Sequence, residues 1–94
     1  MAKAFTYGQL HRLLLALGFE DISNPEKYAG FHHQQSDTTI LLAIHPRNEP
    51  ALLRDMGSVR TMLDLKGLLD GKDFDQIVAK GRIPKVPPRR TPAR

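Results

Sequence analysis

Three of the four histidines fall in one stretch, YAGFHHQQSDTTILLAIHP, residues 28 to 46. Histidine titrates near neutrality, so a single imidazole can take a proton from a hydroxyl or return one to a leaving oxygen. His32 and His33 are neighbours, and neighbours on a strand point to opposite faces. Phe31 is the largest apolar residue of this segment and is expected to face the covering helices. His33 and Gln35 then share its side, while Tyr28, Gly30, His32 and Gln34 take the open side. Gly30 removes a side chain from that open face, so a ligand could come close to the backbone there. The divergence of the two histidines, with no H-x-x-x-H spacing and no matching carboxylate motif, argues against a metal site. From these residues alone His32 is either an ordinary surface histidine or a general acid–base group.

Several elements must hold this stretch in place. Thr6 and Gln9 form a T-x-x-Q capping box, and Phe5 can staple onto Leu10. Leu10, Leu13, Leu14 and Leu17 follow at helical spacing, and Gly18 stands where a glycine ends a helix. His11 lies off that stripe and reads as a surface residue. Phe19 to Ile22 reads as a short strand, Tyr28 to Gln35 as a second, and Thr38 to Ile44 as a third after a Ser36-Asp37 turn. Ile40 to Ile44 is apolar throughout, which predicts a strand that is central or covered on both faces. Ala51 to Asp55 fits either a helical turn or an extended piece. Ser58 is expected to cap a second helix carrying Val59, Met62, Leu63 and Leu65, with Gly67 as its stop. Asp73 is expected to cap a last helix carrying Phe74, Ile77 and Val78. The sum is an α+β fold, a small three-stranded antiparallel sheet with helices on one face in the order α-β-β-β-α(α).

The chain has 94 residues and a net charge of +4, and that charge is unevenly divided. Residues 80 to 94 hold six basic and no acidic side chains, leaving −2 for residues 1 to 79. Four of the seven prolines also lie in that last stretch. A basic, proline-rich segment with few apolar residues cannot bury enough surface to fold alone. The expected organisation is therefore a domain over 1–79 and a disordered tail over 80–94. Such a tail could attract polyanions loosely. The absence of cysteine excludes disulfides and thiolate metal sites. No apolar run is long enough for a membrane helix and no signal-peptide pattern opens the chain, so a soluble cytoplasmic protein is expected.

The order of motifs adds a resemblance. Leu17-Gly18-Phe19 closes the first helix, Gly30-Phe31-His32-His33 lies on the second strand, and Ile40 to Ile44 runs into His45-Pro46. Gly57-Ser58-Val59-Arg60-Thr61-Met62-Leu63 with Gly67-Leu68 follows, then Asp73-Phe74. Over residues 6 to 78 this succession resembles the HicA family of small toxins from HicA–HicB toxin–antitoxin pairs. Phe31 stands where that family usually has serine, and residues 47 to 56 are longer than its usual loop. The resemblance implies a double-stranded-RNA-binding-domain-like fold. It also implies a metal-independent endoribonuclease acting on mRNA without a cofactor, with a HicB-like antitoxin as partner. By position it makes His32 the catalytic residue. Arg47, Arg60 and Lys66 are then the candidates to hold RNA phosphates. The alternative on the same fold is a non-catalytic module that binds nucleic acid or protein.

Overall fold

The computed structural model describes residues 4–83. They form α1 (Tyr7–Ala16), β1 (Glu20–Asp21), β2 (Ala29–His33), β3 (Thr38–Leu42), α2 (Leu53–Leu65) and α3 (Gly71–Lys80). The fold is α+β, with an antiparallel sheet in the order β1-β2-β3. No helix among the described residues is long and apolar enough to cross a membrane.

Local chemistry sets α1 as its sequence predicts. The Gln9 N–H donates to Thr6 Oγ1 at 3.2 Å and the Thr6 N–H donates to Gln9 Oε1 at 2.8 Å, so two otherwise orphaned donors are satisfied. Gly18 leaves the helix at φ 101°, a left-handed turn that costs a side-chain-bearing residue more than glycine. Leu10, Leu13, Leu14 and Leu17 are all buried, together with Val59 and Leu63 of α2 and Phe74 and Ile77 of α3. Full burial of one such side chain is worth roughly 1.5–3 kcal/mol, so this cluster is what holds the helices to the sheet.

Strand register sorts the faces. Asp21 lies opposite Phe31, Phe31 opposite Ile40 and His33 opposite Thr38, and Phe31, His33, Thr38 and Ile40 are buried on the core side. Glu20, His32 and Thr39 form a cross-strand row on the other face, and Gly30 lies opposite Leu41. This is the parity expected from Phe31.

Four expectations need correction. β3 is an edge strand, and its burial alternates: Ile40 is inside while Leu41 is 59% exposed. Its apolar run reflects two different environments, a core and an uncovered face. α2 begins at Leu53, so Ser58 lies inside the helix instead of capping it. Asp55 supplies the acidic first turn that favours this earlier start. α3 begins at Gly71 with Asp70 at its N-cap, which leaves Asp73 in the first turn. The boundary at residue 79 is also too early. α3 continues through Lys80, the Gly81 carbonyl accepts from Gln9 Nε2 at 2.7 Å, and Ile83 packs against the core. The remainder of the expected tail lies outside the described residues.

The segment between β3 and α2 docks on the start of α1. The N–H groups of Tyr7 and Gly8, which have no partner within the helix, donate to the carbonyls of Glu49 and Arg47 at 3.0 and 2.8 Å. A Cβ on Gly8 would lie 3.0 Å from the Arg47 carbonyl oxygen, so glycine permits this approach. The Ala51 N–H donates to the Phe5 carbonyl at 2.8 Å and closes the clamp.

Candidate functional site

His32 sits on β2, near the hairpin that leads to β3. Its side chain is 31% exposed, and Nε2 lies 3.3 Å from Asp37 Oδ1. Asp37 adopts φ 52° in the turn, a left-handed conformation that aspartate tolerates better than most residues. With Nε2–H donated to the carboxylate, Nδ1 keeps its lone pair and has no protein partner among the described residues. An imidazole oriented in this way can accept a proton through Nδ1. Glu20 stands opposite His32 in the register, so two carboxylates flank it.

His33 has a different role. It is 5% exposed, its ring lies 5.2 Å from that of Phe19, and Nδ1 is 2.8 Å from Ser36 Oγ. Ser36 Oγ in turn lies 2.7 Å from Thr38 Oγ1, so His33 belongs to a polar network that staples the hairpin. It is structural.

The three basic candidates do not gather around His32. Arg60 is bound through Nε and Nη2 to both oxygens of Asp75, at 2.9 and 3.0 Å, linking α2 to α3. The hydrogen bonds to Asp75 raise the Arg60 pKa beyond its already high value. A Cβ on Gly71 would lie 2.7 Å from that guanidinium, so the first residue of α3 makes room for it. Lys66 is the exposed C-cap of α2. Arg47 donates from Nη1 to His11 Nδ1 at 3.2 Å, and His11 Nε2 lies 3.0 Å from Asp21 Oδ2. Asp21 shares the Phe31 side of the sheet, so Arg47 belongs to the face opposite His32.

That opposite side holds a second constellation. A cavity of about 310 Å³ opens where α1, the start of β2 and the end of β3 meet. Leu10, Ala29, Phe31 and Leu42 contribute apolar lining, and His11, Asp21, Ser23, His45 and Arg47 contribute polar groups. His11 is not the free surface residue its position off the leucine stripe indicated. Its side chain is 15% exposed and its ring lies 5.3 Å from Phe31 in an edge arrangement. Arginine can only donate, so His11 Nδ1 accepts and the ring proton resides on Nε2, toward Asp21. Hydrogen bonds from Ser23, then from His11, lower the Asp21 carboxyl to about 2. His45 stacks on Tyr7 with centroids 4.2 Å apart and planes 1° from parallel. Its Nδ1 is 2.9 Å from Glu49 Oε2, while its Nε2 is buried with no partner among the described residues. Tyr7 donates to Asp55 Oδ2 at 2.6 Å and accepts from the Leu52 N–H at 3.1 Å. Burial, and then the bond to Asp55, raises its phenol above the ordinary value.

Two signals in the sequence pointed at this second region: Arg47, a candidate to hold phosphate, and His45-Pro46 beyond the end of β3. Tyr7 and His11 share α1, but Asp21 on β1 and the segment carrying His45 and Arg47 come from elsewhere in the chain, and no spacing rule joins the three. No family model, curated protein or solved structure matches the chain.

Proposed function

We propose that the protein is a HicA-like, metal-independent endoribonuclease that cuts mRNA in the cytoplasm and is held in check by a HicB-like antitoxin. The observation that carries this reading is the geometry at His32: a half-exposed imidazole on the uncovered sheet face, held through Nε2 by Asp37 with Nδ1 available. In the proposed step Nδ1 removes the proton of a 2′-hydroxyl and the resulting oxygen attacks the adjacent phosphorus. The bond from phosphorus to the 5′ oxygen breaks, and the imidazolium returns the proton to that leaving oxygen. The products are a cyclic phosphate and a free 5′-hydroxyl. Among the described residues no hydrogen bond or ion pair joins Arg47, Arg60 or Lys66 to His32, so in this reading other groups hold the phosphate. The test is cleavage of RNA by the full chain in excess EDTA. Wild-type protein is expected to cut and His32→Ala to be inactive; equal cleavage by both sinks the assignment.

A second reading is a non-catalytic docking surface on the same face. Ile22, Tyr28 and Leu41 surround Gly30, where a Cβ would lie 3.1 Å from each of them, and Ile22 and Leu41 are exposed. An apolar patch beside two carboxylates suits a protein partner better than a phosphate backbone. Retained partner binding by the chain with no RNA cleavage at high protein concentration would favour it.

A further inference from the structure

The cavity on the helix side of the sheet combines four features that the His32 reading leaves unused. Its volume, about 310 Å³, is at the lower end of the range for small-molecule sites and too small for a folded partner. Phe31, Leu10, Ala29 and Leu42 line it with apolar and aromatic surface, which favours a flat ring. Arg47 lines it with no ion pair among the described residues, and the carboxylates of Asp21 and Glu49 are hydrogen-bonded to His11 and His45. Finally, the His45 imidazole lines the cavity and adds a second aromatic ring to it, while its Nε2 is buried and has no partner among the described residues.

The polar groups are held before any ligand arrives. His11 is fixed between Asp21 and Arg47, which restrains the guanidinium from the protein side. The Arg47 main chain is fixed independently, because its carbonyl accepts from Gly8 in the first turn of α1. His45 is fixed by the Tyr7 stack and by Glu49. Preorganisation of this kind raises affinity by lowering the ordering cost of binding.

We propose that this cavity is a binding site for a small planar aromatic anion. The ring lies on the apolar lining beside the His45 imidazole, and the anionic group pairs with Arg47. The anion can be a carboxylate on a free aromatic acid or the phosphate of a mononucleotide. Both present the same ring-and-anion chemistry. The site is independent of His32, which lies on the opposite face.

Calorimetric titration of the full chain tests this with two probe pairs: indole-3-carboxylate against indole, and nucleoside 5′-monophosphates against the parent nucleosides. In at least one pair the charged probe is expected to bind roughly tenfold or more tightly than its neutral analogue. In Arg47→Gln that ratio should fall to about one, because only the anion's partner is removed. Binding by the nucleotides identifies the source as a mononucleotide, and binding by the indole pair alone identifies an aromatic acid. No saturable binding of any probe up to about 5 mM, or a charge preference that survives in Arg47→Gln, overturns the proposal. Arg47 is exposed, and amide chemical shifts check that Arg47→Gln remains folded.

Discussion

The open face around His32 and the cavity around His45 each present an imidazole held by a carboxylate, yet they are built for different visitors. His32 and Asp37 are 3.3 Å apart with Asp37 almost wholly exposed, so solvent or a polymer can reach the pair. His45 and Glu49 are 2.9 Å apart beside an aromatic stack, and the second ring nitrogen is shut away. Among the described residues the first arrangement has reach but no cation paired beside it; the second has Arg47 and apolar surface but room only for a small molecule. The same imidazole–carboxylate pair therefore says little about function until its surroundings are known.

Acid–base chemistry provides the sharpest way to break this comparison. His32→Ala should lower RNA cleavage by about 10²–10⁴-fold, as expected for loss of a general acid–base group. Arg47→Gln should leave cleavage unchanged, since its side chain belongs to the opposite face. Loss of cleavage in Arg47→Gln, with His32→Ala unaffected, would exchange the roles of the two regions.

Stability separates the adjacent histidines. His33→Ala removes a buried ring from Phe19 and leaves the Ser36 N–H and hydroxyl short of a partner, so urea melts should show a loss of about 1–3 kcal/mol. His32→Ala should cost less than ~0.5 kcal/mol. A larger loss at His32 than at His33 would invert the face assignment.

Two shortened chains measure how far the body extends. Ending at Ile83 retains the Gln9–Gly81 hydrogen bond and the packing of Ile83, whereas ending at Lys80 removes both. The shorter chain should be less stable by about 1–2 kcal/mol, read from urea midpoints. Equal midpoints would place the edge of the folded body at α3 itself.

The smallest effect is expected at low pH. Asp21 titrates at about 2 in the folded chain, below its ordinary 3.8, so its contribution to stability is complete above about pH 4 and lost as pH falls through 2. Its side chain is 37% exposed, and solvent screening holds that contribution below ~1 kcal/mol. Asp21→Asn should therefore flatten the acid limb of a stability–pH curve slightly and leave the neutral region almost unchanged.

Sequence by itself determined what depends on neighbours along the chain. The capping box, the leucine spacing of α1 and the glycine after it all act within a few residues, and each takes its expected place. Strand parity across Phe31, His32 and His33 is equally local, because alternation follows from backbone geometry. Tertiary structure decided the environment of each face and the partners of each polar group. The apolar run of β3 read as a central or doubly covered strand, but a sequence cannot show that Leu41 stays 59% exposed. Ser58 looked like a cap because serine satisfies a helix start, whereas the segment preceding α2 is tied to α1 by Tyr7 and Phe5 from the far end of the chain. His11 looked idle because its partners, Asp21 and Arg47, lie 10 and 36 residues away. Those contacts form only when the clamp over α1 brings three segments together, and their energy depends on burial that no local pattern encodes.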